Sequence, residues 1–260
     1  MLYALVTGAS KGIGKAIAEE LAARKQNLLL VARSEALLQE IATGLSSRYD
    51  IRVDYLAADL ADPAATTQIA DWIRTKNYPV NILVNNAGYG LGGVFEKYPL
   101  AAHRDMMQVN MTAPVALISL LLPELKKHPK SYILNIASSA AYQAVPGLAV
   151  YAASKSFLLN FSRGLRYELR NTNISVTAVS PGGTHSDFAN RAQVADKAVK
   201  AGEKLNMTAE AVAKQAVAAM FNRKKEHITG FVNKLAAAFV WLLPKSVTEK
   251  AAAGIYIEDK

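Results

Sequence analysis

Tyr151 and Lys155 stand four residues apart in a segment of otherwise small and apolar residues, and they are the side chains best suited to acid–base chemistry. On a helix this spacing places both on one face, pointing in the same direction. A phenol with an unperturbed pKa of about 10 is a poor acid–base catalyst at neutral pH. An adjacent ammonium group favours the phenolate, so we expect it to lower the pKa of Tyr151. The pair predicts proton transfer to or from an oxygen atom of a bound molecule.

Ser138 supports this prediction, because it precedes Tyr151 by 13 residues and directly follows an apolar segment, Tyr132–Ala137, with the pattern of a β-strand. That position lies at the carboxyl edge of a parallel sheet, where ligands bind in doubly wound folds. The Ser138 hydroxyl can there donate a hydrogen bond to a carbonyl oxygen as negative charge develops on it. A Tyr-x-x-x-Lys pair alone is most often an ordinary surface pair, so the prediction depends on the three residues together.

A glycine-rich turn, Gly8–Gly14, follows the first apolar segment, Leu2–Thr7, and leads into a helix beginning near Ile13. Glycine permits a tight turn and lets a pyrophosphate approach the backbone without meeting a side chain. The free amides and the positive dipole at the start of the helix attract the anion. Any strand-to-helix turn can use glycine, but the place of this one after the first strand favours dinucleotide binding. The predicted contacts come from Gly8, Ser10, Lys11, Gly12, Ile13 and Gly14.

Arg33 follows the second apolar segment, Asn27–Ala32. An acidic residue there would accept the ribose hydroxyls of NAD, whereas an arginine suits the 2′-phosphate of NADP. The guanidinium can donate two hydrogen bonds to that phosphate, and Lys11 adds a second positive charge. Two ordinary surface cations are the alternative, but their placement favours NADP(H) as the cofactor. Asp59, after the third segment, either accepts from the adenine amino group or only caps the next helix.

Short apolar segments alternate with longer amphipathic ones, which is typical of a parallel sheet covered by helices on both faces. The candidate strands are Leu2–Thr7, Asn27–Ala32, Arg52–Ala57, Asn81–Asn85, Tyr132–Ala137, Ile174–Ser180 and a shorter one near His227–Phe231. The candidate helices are Ile13–Lys25, Glu35–Arg48, Ala64–Lys76, Ala101–Lys127, Tyr151–Asn171 and Thr208–Asn222. Right-handed crossovers then predict a single α/β domain over residues 1–260, with a doubly wound parallel sheet.

Composition limits the other function classes. The 260 residues include no cysteine, which excludes disulfides and thiolate metal sites, and the four histidines lack metal-ligand spacing. The net charge of +9 favours attraction to anions. The basic cluster Arg223–Lys225 is too brief to predict a nucleic-acid partner and is more simply a solvated face. We find no signal-peptide pattern and no stretch near the roughly 20 apolar residues of a spanning helix, and so expect a cytoplasmic protein.

Taken together, these motifs resemble those of the classical short-chain dehydrogenases/reductases of the NADP-preferring type. The resemblance runs over nearly the whole chain and rests on Thr7–Gly14, Asp59-Leu60, Asn85–Gly88, Asn110, Ser138, Tyr151–Lys155 and Pro181-Gly182. It implies a Rossmann-type sheet of about seven strands in the order 3-2-1-4-5-6-7. It also implies reduction of a carbonyl group to an alcohol by hydride transfer from NADPH, with Tyr151 as proton donor.

The resemblance assigns further roles near the cofactor. Asn85 would stabilise the central strand. Asn110 would bind a water that links Lys155 to solvent, although a polar residue that kinks its helix is the alternative. Lys155 would also bond the nicotinamide ribose, and Ser186 stands where the family usually has threonine. The remaining cofactor contacts are expected from Leu60, Asn86, Ala87, Gly88, Pro181, Gly182 and Thr184.

The loops that follow the later strands supply the candidate substrate contacts Tyr89, Tyr142, His185 and Phe188. Their character predicts an apolar carbonyl substrate, although loop packing explains each residue as well. The segment 187–206 is interpreted as a lid, or alternatively as a solvated helix. The C-terminal apolar segment, about residues 231–257, would pack on a partner subunit or cover the pocket in preference to resting on a membrane surface.

Three functions stay open at this point. A reductase of ketones or aldehydes is favoured, and a 3-ketoacyl thioester reductase acting on an acyl-carrier protein or CoA is the alternative. The C-terminal segment lacks the glycine-rich pattern of ketoacyl-carrier-protein reductases, which disfavours the carrier protein, and resembles the broad group that includes hydroxysteroid and long-chain ketoacyl reductases. An NADP-binding sensor or assembly module is the alternative of another class, but such proteins often lose the tyrosine or lysine that stand here. We expect a homodimer or homotetramer, because apolar stretches in Ala101–Lys127 and Tyr151–Asn171 resemble oligomer faces of the family.

Overall fold

A sheet of seven parallel strands organises the chain. The computed structural model describes residues 2–185, 188, 192, 193 and 206–257, so the predicted lid lies almost entirely outside the described residues, as does Ser186. The strands of the sheet are β1 Tyr3–Thr7, β2 Asn27–Ala32, β3 Val53–Ala57, β4 Val80–Asn85, β5 Ser131–Ile136, β6 Ile174–Ser180 and β9 Glu226–Ile228. Two short strands, β7 Thr184–His185 and β8 Met207–Thr208, pair with each other separately.

The order of the strands is β3-β2-β1-β4-β5-β6-β9, which confirms the predicted sheet. Leu5 of β1 is aligned with Leu29 of β2 on one side and Leu83 of β4 on the other. The residues of β1, β2, β4, β5 and β6 are all buried, as expected of strands covered on both faces. The winding direction reverses between β1 and β4, which opens a crevice at the carboxyl ends of these strands.

Helices cover both faces of the sheet. Side chains of α1 Gly12–Ala23, α2 Glu35–Tyr49 and α7 Ala209–Phe221 form one apolar core with alternate strand residues such as Val6. The other core combines α3 Ala65–Thr75, α5 Ala113–Lys126 and α6 Ala149–Glu168 with the opposite alternation, such as Leu5. The period of two along each strand thus supplies both faces.

The predicted helix Ala101–Lys127 is in fact three continuous pieces, α4 Leu100–Met107, a π-helical turn Gln108–Thr112 and α5. By length and composition alone, Leu100–Lys126 could cross a membrane, and it is the one such helix among the described residues. The expectation that no segment comes near this length is therefore wrong. Leu117 and Leu121 of this helix lie in the core against the sheet, where a long apolar helix is also required.

Two helices, α8 Phe231–Leu242 and α9 Lys245–Tyr256, form the C-terminal segment. None of the residues in α8 is buried, and Phe231, Phe239 and Trp241 are exposed. In contrast, α9 buries Ala252. The predicted strand His227–Phe231 extends too far, because Gly230 has a φ of +80° and turns the chain from β9 into α8.

Candidate active site

The glycine turn after β1 forms a cradle at the start of α1. Gly8 and Gly12 have φ angles of +65° and +54°, a region that favours glycine. A Cβ atom on Gly8 would lie 2.8 Å from Asn86 Nδ2, and one on Gly14 would collide with the Gly8 carbonyl oxygen. Lys11, at the N-cap position of α1, makes no side-chain capping hydrogen bond to this helix. Close backbone packing and an uncapped helix N-terminus are what a dinucleotide pyrophosphate requires, so the residues present fit this group.

Asn86, at the end of β4, holds this turn in place. Its Nδ2 donates hydrogen bonds to the carbonyl oxygens of Thr7, at 2.9 Å, and Gly8, at 3.2 Å. The Thr7 hydroxyl accepts from the backbone amides of Asn86 and Ala87 at 3.1 and 3.2 Å. The structure therefore brings the predicted residues Asn86, Ala87 and Gly8 together, and their first effect is to fix the glycine turn to β4.

Arg33 and Asp59 lie at the carboxyl ends of β2 and β3 and face each other at 3.9 Å. Both side chains are more than half exposed, 56% and 51%, so this ion pair is weak and leaves the guanidinium open to a ligand. Asp59 Oδ1 also accepts from the Ala61 amide at 3.1 Å, in the turn before α3, and it does not cap that helix, whose N-cap residue is Ala64. Two other residues that were predicted to contact the cofactor lie in or against the apolar cores. Leu60 is buried with Ala65 in the core of α3, α5 and α6, and Ile13 is partly buried against the core of α1, α2 and α7.

Tyr151 lies in the first turn of α6 and is 8% exposed. Burial raises the pKa of Tyr151 to about 12, while a hydrogen bond with the Ser138 side chain lowers it in part. Ser138 caps the short helix Ser139–Tyr142 by accepting a hydrogen bond from the Ala140 amide at 3.1 Å, which fixes its position. The prediction that the pKa of Tyr151 would be lowered is wrong here, because burial raises it and is the largest cause of the shift. At neutral pH the phenol keeps its proton and can act as a donor.

Lys155 lies one turn further along α6 and is 4% exposed. Its Nζ donates a hydrogen bond to the Ile136 carbonyl oxygen at 2.9 Å, at the end of β5. Burial lowers the pKa of Lys155 to about 8, so the ammonium form still predominates at pH 7. A Cβ on Gly88 would lie 3.0 Å from Lys155 Nζ and 3.1 Å from Asn110 Oδ1, which places the three predicted residues side by side.

Asn110 lies in the π-helical turn and is fully buried. Its Nδ2 donates to the Tyr89 carbonyl oxygen at 2.9 Å and to Ser154 Oγ at 3.0 Å, and its Oδ1 accepts from the Tyr89 amide at 3.1 Å. The side chain thus joins the loop after β4 to α6. This matches the alternative prediction of a polar residue at a helix irregularity, and it identifies Ser154 as a partner that the sequence analysis missed.

Apolar and aromatic side chains enclose the Tyr151 ring. The ring of Phe188 lies 5.1 Å from it, and a Cβ on Gly90 would lie 3.0 Å from Phe188 and 3.4 Å from Tyr151. The cluster around Tyr151 contains Tyr89, Leu91, Met106, Ala140, Val145, Leu148, Val150, Ala152, Phe188, Ala252 and Tyr256. Tyr89 and Phe188 were predicted, whereas Met106, Ala252 and Tyr256 were missed. The only signal for Ala252 and Tyr256 was the expectation that the C-terminal segment covers the pocket, and Met106 had none.

Tyr142 does not join the other predicted substrate residues. Its hydroxyl donates to Glu226 Oε1 at 2.6 Å and lies 3.1 Å from Ser180 Oγ, and Arg163 makes an ion pair with the same carboxylate at 2.7 Å. Burial and the hydrogen bond to Glu226 raise the pKa of the Tyr142 phenol above its usual range. Tyr142 is therefore held in a polar network between β6, β9 and α6 and packs in a separate apolar cluster.

The residues after β6 lie beside Ser138. The Ser139 amide donates to the Pro181 carbonyl oxygen at 2.7 Å, and the Thr184 hydroxyl donates to the Gly182 carbonyl oxygen at 3.1 Å. A Cβ on Gly182 would collide with the Asn233 side chain of α8. His185 belongs to β7, but its side chain lies outside the described residues.

Comparison with known proteins gives a consistent result. The family model for short chain dehydrogenases matches residues 2–198. The chain is 35% identical over 187 residues to human inactive hydroxysteroid dehydrogenase-like protein 1, covering 69% of this chain and 54% of that protein. It is 36% identical over 185 residues to very-long-chain 3-oxoacyl-CoA reductase of Anas platyrhynchos, covering 69% of this chain and 58% of that protein. The chain thus spans little more than half the length of these curated relatives.

Among solved structures, a short-chain dehydrogenase from Sphingobium yanoikuyae in complex with NADPH superimposes with a TM-score of 0.82. Its sequence is 30% identical, and the match covers 93% of this chain and 95% of that one.

Proposed function

The chain belongs to the short-chain dehydrogenase family, and from this premise we propose that it reduces the carbonyl group of an apolar ketone or aldehyde to an alcohol with NADPH. The observation that carries the proposal is the buried phenol of Tyr151, hydrogen-bonded to Ser138 and enclosed by apolar side chains. A carbonyl group that enters this cluster is separated from water and meets two hydroxyl groups.

The cradle between Gly8, Gly14 and Asn86 would hold the pyrophosphate of NADP(H), and Arg33 would bind the 2′-phosphate. Lys155 and the loop Pro181–Thr184 would hold the nicotinamide half beside Tyr151. When bound, NADPH supplies the hydride that the carbonyl carbon accepts. The support for this cofactor is the steric fit of the glycine cradle, the exposed guanidinium of Arg33 and the NADPH-bound relative.

Three side chains of the protein would then stabilise and protonate the substrate carbonyl oxygen. Tyr151, protonated at neutral pH, donates its proton to the carbonyl oxygen as negative charge develops there, and Ser138 donates a hydrogen bond to the same oxygen. Lys155 carries its positive charge 5.9 Å from the centre of the Tyr151 ring and stabilises the phenolate that remains. We propose that a proton returns to Tyr151 through Lys155 and the region of Asn110.

The test is oxidation of NADPH and NADH by the purified protein with a panel of ketones, aldehydes and acyl thioesters. Tyr151→Phe is measured in parallel, and binding of NADPH is measured by calorimetry for both proteins. We expect turnover with apolar ketones that prefers NADPH, and a fall of about 10²- to 10⁴-fold in kcat for Tyr151→Phe with unchanged NADPH binding. Near wild-type turnover of a folded Tyr151→Phe protein would overturn the role of Tyr151.

A 3-ketoacyl thioester reductase is the second candidate, because very-long-chain 3-oxoacyl-CoA reductases are among the relatives and the cluster around Tyr151 is apolar. A 3-ketoacyl-CoA and a methyl ketone of the same chain length separate the two proposals. A kcat/KM for the thioester far above that for the free ketone selects the thioester reductase, whereas comparable values select the general ketone reductase.

A sensor that binds NADP(H) without catalysis is the third candidate, since several relatives carry the word inactive in their names. In this chain Ser138 is hydrogen-bonded to Tyr151, and Lys155 Nζ lies 5.9 Å from the centre of the Tyr151 ring, an arrangement that favours the enzyme. Tight NADPH binding without turnover of any member of the panel would select the sensor.

A further inference from the structure

The last helix of the described chain, α9, reaches the proton donor. Tyr256, at the end of α9, belongs to the apolar cluster that contains Tyr151, and Ala252, one turn earlier, is 4% exposed in the same cluster. Residues more than 100 positions apart in sequence are therefore packed around one phenol. A side chain in such a position affects which molecules can reach Tyr151.

Gly147 makes this contact possible. It lies in the loop before α6 with a φ of +82°, and a Cβ there would be 2.7 Å from the Tyr256 carbonyl oxygen and 3.0 Å from the Tyr256 Cβ. The Gly147 carbonyl oxygen accepts a hydrogen bond from the Gly93 amide at 2.8 Å, in the loop after β4. The end of α9 is thus packed directly on the Gly147 loop, which is in turn hydrogen-bonded to the loop after β4.

Electrostatics agree with this geometry. Burial raises the pKa of Tyr256, and the charge that Tyr256 would carry as a phenolate also raises the pKa of Tyr151. Two phenols influence each other in this way only when they are close and poorly solvated. At neutral pH both are uncharged, so Tyr256 presents an apolar ring to the space beside the proton donor.

We propose that Tyr256 is a specificity-determining residue: its backbone and Cβ pack on Gly147, and its ring, in the apolar cluster of Tyr151, limits the size of the group attached to the substrate carbonyl. The inference rests on the proposed carbonyl reductase function and names the side chain that selects its substrates. Small and medium apolar ketones fit beside the ring, whereas a ketone with two bulky groups meets it.

The experiment compares acetophenone with benzophenone as substrates for the wild type, Tyr256→Ala and Tyr256→Phe. Because one missing or added methylene in a pocket changes selectivity about 10- to 200-fold, removal of a whole ring is expected to raise the benzophenone-to-acetophenone ratio of kcat/KM at least tenfold. Tyr256→Phe keeps the ring and should keep the wild-type ratio. The change should lie in the KM for the ketone, with the KM for NADPH unaltered.

Tyr167→Ala is the matched control, because Tyr167 is 68% exposed on the far part of α6 and its removal should leave the ratio unchanged. If Tyr256→Ala does not fold, Tyr256→Leu still shortens the side chain and should shift the ratio in the same direction. An unchanged ratio in a folded Tyr256→Ala or Tyr256→Leu protein overturns the proposal.

Calorimetric binding of the two ketones to the NADP⁺-loaded protein separates this proposal from the proposed function. If the wild type reduces no member of the carbonyl panel but Tyr256→Ala gains at least tenfold in benzophenone affinity relative to acetophenone, the size limit stands and the reductase function fails. If the wild type reduces ketones but neither kinetics nor binding responds to Tyr256→Ala, the reductase stands and the role of Tyr256 fails.

Discussion

Lys155 Nζ lies 5.9 Å from the centre of the Tyr151 ring, and both side chains are buried at the end of β5. Burial shifts the two groups in opposite directions, lowering the pKa of Lys155 to about 8 and raising that of Tyr151 to about 12. Between these values both groups are uncharged, and below pH 8 the ammonium is present beside a neutral phenol. At neutral pH Tyr151 can therefore donate its proton while the ammonium group of Lys155 beside it is already positively charged.

Replacement of Lys155 by methionine should abolish turnover and yet stabilise the protein at neutral pH. The folded protein holds its lysine proton less tightly than the unfolded chain, so burying the charge costs stability below pH 8. A shift of the Lys155 pKa from 10.5 to about 8 corresponds to roughly 3 kcal/mol of unfolding free energy that the variant would gain. Loss of the hydrogen bond to the Ile136 carbonyl oxygen offsets about 1 kcal/mol of this gain. We expect Lys155→Met to raise the free energy of unfolding at pH 7 by about 1 to 2 kcal/mol.

The stability difference between Lys155→Met and the wild type should shrink as pH rises. As pH rises from about 8 to about 10, the wild-type lysine loses its proton in the folded state first, so the wild type regains stability and the advantage of Lys155→Met shrinks. Urea unfolding at pH 7, 8, 9 and 10 measures the difference. A wild type that is more stable than Lys155→Met at pH 7 would show that other groups fully compensate the buried charge.

Gly14→Ala tests the cofactor cradle. The new methyl group would collide with the Gly8 carbonyl oxygen and with Asn86, so we expect a loss of NADPH binding of at least tenfold, measured by calorimetry. Gly44→Ala in α2 is the matched control, because a Cβ there meets nothing within 4 Å. That change should stabilise the helix by about 0.5 to 1 kcal/mol without altering NADPH binding. Equal NADPH affinity in the two variants would contradict the assignment of the cradle.

The residues closest to the chemistry were predictable because local rules position them. A spacing of four on a helix places Tyr151 and Lys155 together, and the end of an apolar strand places Ser138 at the sheet edge. The doubly wound parallel sheet followed from the alternation of apolar and amphipathic segments, whereas its strand order came from the family resemblance. None of these steps requires knowledge of a contact between distant parts of the chain.

The errors arise where distant residues decide the outcome. Tyr142 was expected at the substrate, but Glu226, 84 residues later, accepts its hydroxyl hydrogen bond and turns it away. The direction of the Tyr151 pKa shift depends on burial, which a spacing pattern does not report. Tyr256 was missed because its apolar neighbours predicted only that the C-terminal segment packs somewhere, and the contact with Gly147 fixes where.

Tyr142→Phe distinguishes a structural role from a substrate contact. Removing a hydrogen bond to a charged carboxylate should lower the free energy of unfolding by about 1.5 to 3 kcal/mol. The ion pair of Arg163 with Glu226 remains in this variant. Denaturant unfolding should therefore show the loss, while the KM for the ketone stays at the wild-type value. A raised KM with unchanged stability would return Tyr142 to the substrate site.

Arg33→Ala addresses the choice between NADPH and NADH. The guanidinium is paired with Asp59 only at 3.9 Å and is 56% exposed, so its removal should have little effect on stability. Hydrogen bonds to a charged phosphate are worth about 1.5 to 3 kcal/mol, which corresponds to roughly 10- to 150-fold in affinity. We expect the Kd for NADPH to rise by this factor and that for NADH to change little, as measured by calorimetry. Arg48→Ala, at the end of α2, removes the same charge from the surface and serves as the control for net charge. An equal loss for both cofactors in Arg33→Ala, or the same loss in Arg48→Ala, would mean that Arg33 acts through the general positive field and that the 2′-phosphate is bound elsewhere.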